Sequence, residues 1–126
     1  MGKEVMRVKK VLWISRHEMT LPQRAELERI AGGEVELLPW RDTVTDVRQL
    51  LPLIWQADLV AAVLPLPLLA ALLPLAGDRP VLQAESGRVP TGQLRRLPDG
   101  RTEPEFAFEH RGWQQVLKLE LQTVRL

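Results

Sequence analysis

Short, almost continuous apolar runs that alternate with helical patterns constrain this chain more than any other feature. The first run, Val11-Leu12-Trp13-Ile14, lies in a segment from Val8 to Ser15, and similar runs span Leu59 to Leu64 and Val81 to Ala84. Strands that helices bury on both faces have this composition, and they belong to parallel sheets. The alternation of strand and helix therefore predicts an α/β fold, with a Rossmann-like parallel sheet and helices on both of its faces.

The first helix has the clearest boundaries. Thr20 and Gln23 have the spacing of a capping box, and Pro22 falls in the first turn, where its missing N–H costs nothing. Glycines typically end helices, and Gly32-Gly33 follow. These signals predict a helix from Leu21 to Ala31.

A short second strand and a less regular second helix follow. Val35, Leu37 and Leu38 predict the strand, which ends at Pro39-Trp40. We expect Thr43 or Thr45 to cap the helix and Pro52 to kink it. The apolar face of this helix comprises Val47, Leu50, Leu51, Ile54 and Trp55.

The third helix, from Pro67 to Ala76, is apolar almost all round. A helix of this kind does not lie on the surface of a monomer unless the surface is an interaction face. Two explanations stay open: a homodimer that covers the helix, or burial beneath a C-terminal hairpin.

From Gly87 the pattern becomes β-rich, and we interpret 87–126 as an antiparallel extension of a single domain that spans 1–126. Leu97-Pro98-Asp99-Gly100 is a turn signal. The β-segments are expected to turn near Gly112. Their apolar residues are Phe106, Phe108, Val116, Leu117, Leu119, Leu121 and Val124.

Composition excludes several classes of function. The net charge is only +1, so we expect no duplex DNA partner. Prolines interrupt the charge-free stretch from Leu59 to Gly77, which argues against a membrane span, and no signal-peptide pattern begins the chain, so we expect a cytoplasmic protein.

The chain has no cysteine and two histidines, His17 and His110, far apart in sequence. We therefore expect no metal and no cofactor, and we interpret His110 as a hairpin residue.

In parallel α/β sheets, ligands bind beyond the carboxyl ends of the strands, where the strand order reverses. The residues expected there are Ser15 to Thr20, Leu64 to Pro67 and Glu85 to Arg88. The first segment offers a hydroxyl, a guanidinium and an imidazole, followed by a helix start that favours anions. A phosphate fits this set best, with Arg16 binding its oxygens and His17 exchanging a proton. Ser15 and Thr20 are candidates to add hydroxyl contacts.

Structural roles remain open for the same side chains. Ser15 can cap a turn, Arg16 can pair with Glu18 or Glu85, His17 can pack on the first helix, and Thr20 can act only as the N-cap. Trp40, just past the second strand, is a candidate to stack on a base.

The absence of glycine between the first strand and first helix excludes a dinucleotide fingerprint and a P-loop. A receiver domain also fails, because Ile14-Ser15-Arg16 and Leu64-Pro65 stand where its acidic residues belong.

Two motifs of the sequence resemble those of a known family. Trp13-Ile14-Ser15-Arg16-His17 and Val63-Leu64-Pro65-Leu66-Pro67-Leu68-Leu69-Ala70 resemble small stand-alone CRISPR-associated proteins related to CARF (CRISPR-associated Rossmann fold) domains, including ring nucleases of type III systems. The resemblance covers roughly Val11 to Ser86. A weaker resemblance extends to the segment Phe106-Ala107-Phe108-Glu109-His110.

The resemblance implies a homodimer that binds a cyclic oligoadenylate, most often the four-membered ring, and cleaves it without a metal to end antiviral signalling. Ser15, Arg16 and His17 would then bind the scissile phosphate, with Arg16 stabilising the transition state and His17 acting as general acid or base. Leu64 and Pro65 would shape the adenine pocket. Glu85, Ser86 and Arg88 are further candidates for ligand binding, but only because of their position after the fourth predicted strand and not because of the resemblance. A non-catalytic sensor or sponge for the same messenger stays open, as does a protein-interaction module that uses the third helix.

Overall fold

A computed structural model describes residues 8–119, 124 and 125. Its five strands form one mixed sheet in the order β2-β1-β3-β4-β5. The strands are β1 Lys9–Ile14, β2 Val35–Trp40, β3 Leu59–Ala62, β4 Val81–Arg96 and β5 Thr102–Gln115. The first four are parallel to their neighbours, and β5 runs antiparallel to β4. The predicted α/β class with an antiparallel addition is confirmed.

The helices occupy both faces of the sheet. They are α1 Leu21–Ala31, α2 Leu51–Ile54 and α3 Leu66–Ala76, and a 3₁₀ turn, Val47–Leu50, precedes α2. One core lies between the sheet and α1, where Leu27 packs with Val11 and Trp13. The other lies on the opposite face, where the 3₁₀ turn, α2 and α3 cover Leu12 and Ile14. Alternate residues of β1 therefore enter different cores, which explains its continuous apolar sequence.

The first helix has the predicted bounds and caps. The Thr20 hydroxyl accepts a hydrogen bond from the Gln23 N–H at 3.2 Å, and the Gln23 side chain accepts one from the Thr20 N–H at 2.9 Å. Gly32 ends the helix with φ of 83°, a left-handed conformation that side chains disfavour. Local chemistry at both ends therefore sets the length of α1.

The predicted cap of the second helix is wrong. Asp46 is the cap, because its carboxylate accepts from the Arg48 N–H at 2.9 Å while the Gln49 side chain accepts from the Asp46 N–H at 3.3 Å. Neither Thr43 nor Thr45 has this geometry. The single predicted helix is also divided into the 3₁₀ turn and α2, and Pro52 stands in the first turn of α2. The ring of Pro52 fits there, since it removes no intrahelical hydrogen bond.

The hairpin of β4 and β5 differs from the prediction. β4 starts beside β3 and continues past Ala84 as a two-stranded ribbon with β5. The chain turns at Leu97 to Arg101, where the Gly100 N–H donates to the Leu97 carbonyl at 3.0 Å, so the turn signal there is confirmed. The turn expected near Gly112 is wrong. Gly112 lies inside β5 opposite Glu85, at a bulge, with φ of 142°.

The end of the described chain contacts α3. Residues 116–119 form no strand, contrary to the prediction; Leu121 lies outside the described residues, and Val124 has no regular structure. Val116 and Leu119 pack against the core that contains Leu69 and Leu72 of α3. Burial beneath the segment after the hairpin thus accounts for part of the apolar character of α3. Within 8–119, 124 and 125, no helix is long and apolar enough to cross a membrane.

Candidate functional site

The strand order reverses at β1, which has β2 on one side and β3 on the other. The carboxyl ends of these strands meet at one edge of the sheet, and the β4–β5 ribbon leaves the sheet at the same edge because β4 runs parallel to them. Two open pockets lie at this edge, and Ser15 and Val63 line both of them. Ser15 therefore stands on the ridge between the pockets.

The larger pocket, of about 610 Å³, lies between the β1–α1 turn and the root of the hairpin. The buried Trp13 positions this turn, because its indole N–H donates to the His17 carbonyl at 3.0 Å. The lining comprises Trp13, Ser15, His17, Glu18, Thr20, Pro22, Gln23, Val63, Ser86, Phe108, Glu109 and His110.

The smaller pocket, of about 280 Å³, lies on the α3 side of the same turn. The Arg16 guanidinium faces it and donates to the Thr43 hydroxyl. Leu64 and Pro65 supply an apolar wall between β3 and α3. The lining comprises Ile14, Ser15, Arg16, Asp42, Thr43, Val44, Val63, Leu64, Pro65 and Leu68.

The hydroxyl groups of the site keep a donor for a ligand. The Ser15 hydroxyl accepts from the His17 N–H at 3.1 Å, and the Thr20 hydroxyl accepts from the Gln23 N–H at 3.2 Å. A hydroxyl that accepts one hydrogen bond still has its own proton to donate. Both therefore combine a local structural role with a free O–H that can bind a phosphate oxygen.

The start of α1 offers fewer backbone donors than the sequence predicts. Pro22 has no N–H, and the Gln23 N–H is already bonded to Thr20. An anion at this edge must therefore be held mainly by side chains rather than by the helix terminus.

The structure decides between roles that the sequence leaves open. Glu18 forms its ion pair with Arg41, at 3.5 Å, and Glu85 accepts from the Gln114 side chain. Arg16 makes no ion pair with any carboxylate among the described residues, so its charge is available to a ligand. The His17 side chain is exposed rather than packed on α1.

The other predicted site residues lie outside both pockets. Trp40 packs against the core beneath α2 and α3, so its ring is not free to stack on a base. Arg88 lies on the ribbon, with its guanidinium 4.2 Å from the centre of the Phe106 ring. Glu85 is held by Gln114 at the bulge. Of the residues predicted from position on β4, the structure brings only Ser86 to the larger pocket.

Sequence reasoning missed the contribution of the hairpin. Phe108 and His110 line the larger pocket from β5, where His110 pairs in register with Ser86. The Phe106-Ala107-Phe108-Glu109-His110 segment was visible as a motif, but its place beside His17 depends on strand pairing over a long sequence distance.

The described residues contain no cluster of acidic and imidazole side chains with the arrangement of a metal site. Comparison with protein-family models, with curated proteins and with solved structures finds no match to this chain.

Proposed function

We propose that this protein is a homodimer of Rossmann-like, CARF-like domains that binds a cyclic oligoadenylate, preferentially cyclic tetra-adenylate, and cleaves it without a metal. One observation carries the proposal. The carboxyl edge of the sheet gathers a guanidinium that has no carboxylate partner among the described residues, an exposed imidazole and two hydroxyl groups around two adjoining pockets. The motifs that resemble small type III CRISPR proteins end β1 and connect β3 to α3, and both lie at this edge.

The pockets suit the two halves of a nucleotide. The smaller pocket has the apolar wall of Leu64 and Pro65, which favours a base, with Arg16 at its border. The larger pocket has hydroxyl and imidazole groups, which favour a phosphodiester. Pockets of a few hundred Å³ with few polar groups are typical of small-ligand sites.

The reaction needs no group beyond side chains and the ring itself. The ribose 2′-oxygen attacks the adjacent phosphorus, the bond from phosphorus to the 5′-oxygen breaks, and a 2′,3′-cyclic phosphate and a 5′-hydroxyl result. His17 moves a proton in this step, and Arg16 stabilises the charge that develops on the phosphoryl oxygens. A symmetric ring also suits a two-fold dimer, because equivalent residues of both subunits contact equivalent phosphates.

The decisive experiment mixes the purified protein with cyclic tetra-adenylate in EDTA and separates the products by chromatography. We expect linear products that end in a 2′,3′-cyclic phosphate. An intact, tightly bound ring would identify a sponge instead. Failure to bind any cyclic oligoadenylate contradicts both functions.

The first prediction concerns the two side chains at this edge. Arg16→Ala and His17→Ala should each slow cleavage at least about tenfold, because each removes one electrostatic or proton-transfer group. Arg101→Ala is the matched control, since Arg101 is an exposed arginine at the distal turn of the hairpin, with its ion pair to Asp99. Unchanged cleavage by both folded site variants would show that the reaction occurs elsewhere.

A further inference from the structure

The fold brings the two histidines of the chain to one pocket. His17 stands on the turn after β1, and His110 stands on β5 at the root of the hairpin. They approach the larger pocket from different elements. The sequence separates them widely, and only the pairing of β5 with β4 makes them neighbours of the same cavity.

Aromatic packing holds His110 at the pocket wall. Its ring centre lies 5.8 Å from that of Trp113, and Trp113 meets Trp13 edge to face, with ring centres 5.9 Å apart. The indole N–H of Trp113 donates to the Gln23 carbonyl of α1 at 3.0 Å, which fixes the root of the hairpin to the helix. The imidazole is therefore placed by a rigid support rather than by a loop.

The nitrogens of His110 have no hydrogen-bond partner among the described residues, although both are shielded from solvent. Shielded polar groups are nearly always bonded in proteins, and exceptions at pockets often have a functional explanation. A neutral imidazole offers one donor and one acceptor, and a charged one offers two donors. A phosphodiester in the larger pocket supplies the partners that the protein does not.

We propose that His17 and His110 act as an acid–base pair on the phosphodiester bound in the larger pocket. The proposal rests on the proposed function. It adds His110 as a catalytic residue, whereas the sequence alone predicts only that His110 belongs to the hairpin. Metal-free cleavage of this kind needs one proton transfer from the attacking 2′-oxygen and one to the leaving 5′-oxygen, on opposite sides of phosphorus, and an imidazole can act as base or as acid.

The step balances without water or a metal. One imidazole, neutral, takes the proton of the 2′-hydroxyl as the 2′-oxygen bonds to phosphorus. The other, protonated, gives its proton to the 5′-oxygen as the bond from phosphorus to that oxygen breaks. The pair ends with its protonation exchanged, and a further proton exchange after the products leave restores the starting state.

Two carboxylates near the pocket are already engaged with arginines. Glu18 pairs with Arg41, whereas Glu109, next to His110 on β5, lines the pocket itself. Glu26 faces His110 from α1, but it is hydrogen-bonded to Arg29, and this bond is the main reason why the pKa of Glu26 is lowered. Arg111 is the neighbouring cation on β5. A lowered pKa makes Glu26 a poor proton donor at neutral pH.

The first test measures contact rather than rate. Because the chain has two histidines, proton NMR gives two sets of imidazole signals, which His17→Gln and His110→Gln assign. Adding cyclic tetra-adenylate with 2′-fluoro groups, which cannot be cleaved, should shift both sets. A shift of the His17 signals alone overturns this inference and leaves the proposed function in place. Absence of any binding overturns both.

The second test measures the pH dependence of single-turnover cleavage. His110→Gln should lower the rate by roughly a hundredfold or more and remove one limb of a bell-shaped pH profile, while ring affinity stays within about threefold. A ring with sulfur in place of the scissile 5′-oxygen should restore the rate of whichever variant lacks the acid, since this leaving group needs no proton. Arg95→Ala, which breaks an ion pair with Glu103 on the distal ribbon, is the control. A His110→Gln variant that keeps both limbs and its rate within threefold overturns the inference.

Discussion

Trp13→Phe tests whether the indole of β1 positions the turn that carries His17. Trp13 is 3% exposed, and its N–H donates to the His17 carbonyl at 3.0 Å. Phenylalanine keeps an aromatic ring at the position, so the contact with Trp113 and the apolar character of the core remain. The substitution therefore removes one hydrogen bond and part of a buried ring.

The expected loss of stability is the sum of the lost hydrogen bond and of the void left by the smaller ring. A hydrogen bond of this kind contributes about 1 kcal/mol net to the free energy of unfolding. The void beside the smaller ring costs about 1 kcal/mol more. A total of about 2 kcal/mol lowers the melting temperature of a domain of this size by roughly 6 to 10 °C. The domain should still fold, because domains are typically stable by about 5–15 kcal/mol.

Urea unfolding followed by circular dichroism measures this loss, and Trp113→Phe is the matched comparison. Trp113 also donates its indole N–H to a backbone carbonyl at 3.0 Å, but the acceptor is Gln23 in α1 rather than the site turn. The two variants should lose similar stability. If Trp13→Phe costs less than about 0.5 kcal/mol while Trp113→Phe costs about 2 kcal/mol, the bond to His17 does not stabilise the turn.

Two further predictions concern the helix caps. The guanidinium of Arg48, hydrogen-bonded to Asp46, and the Arg48 N–H lower the pKa of Asp46 to about 2. Because the folded pKa lies below the unfolded value, the stabilisation is present above about pH 4 and is lost as the pH falls towards 2. The stability gap between wild type and Asp46→Ala, measured by urea unfolding, should therefore narrow over that range, and a constant gap contradicts the assignment. Thr20→Ala should cost about 1 kcal/mol in the same assay, whereas Thr20→Ser should cost little, since serine keeps the hydroxyl that caps α1. Equal losses in both variants would show that the cap bond contributes nothing.

The sequence predicts best the elements whose boundaries are set by local chemistry. The capping box at Thr20 and the glycine after Ala31 define α1 correctly at both ends. The second helix lacks such a unique signal, because Thr43, Thr45 and Asp46 are all acceptable caps within a few residues. The structure decides among them, because Asp46 forms the reciprocal side-chain hydrogen bonds of a capping box with this turn.

The hairpin was harder to predict because its ribbon has no buried face along most of its length. Without one face in a core, strand residues do not alternate between apolar and polar types, and their register is weakly specified. Gly87, Pro90 and Gly92 then resemble a loop, although they lie inside β4. Gly112 resembles a turn for the same reason, although it forms a bulge inside β5.

The candidate site was predictable where topology alone brings residues together. The ends of β1 and β3 meet at the strand-order reversal, so Ser15, Leu64 and Pro65 could be placed at one edge from the alternation of elements. His110 could not be placed there, because its position depends on the pairing of Ser86 with His110 across a hairpin whose register the sequence does not specify.

The separation of Arg16 from His17 changes what a ligand must do. The two residues are adjacent in sequence, but Arg16 lines the smaller pocket and His17 the larger. A lone phosphate that contacts both must sit above Ser15, the residue that the pockets share. In the proposed complex the base occupies the smaller pocket and the phosphodiester extends over Ser15 into the larger one, so Arg16 and His17 approach it from opposite sides of the ridge. The arrangement is therefore consistent with the proposed nucleotide ligand rather than a free phosphate, and under that proposal the proton transfer occurs on the side of His17 and His110.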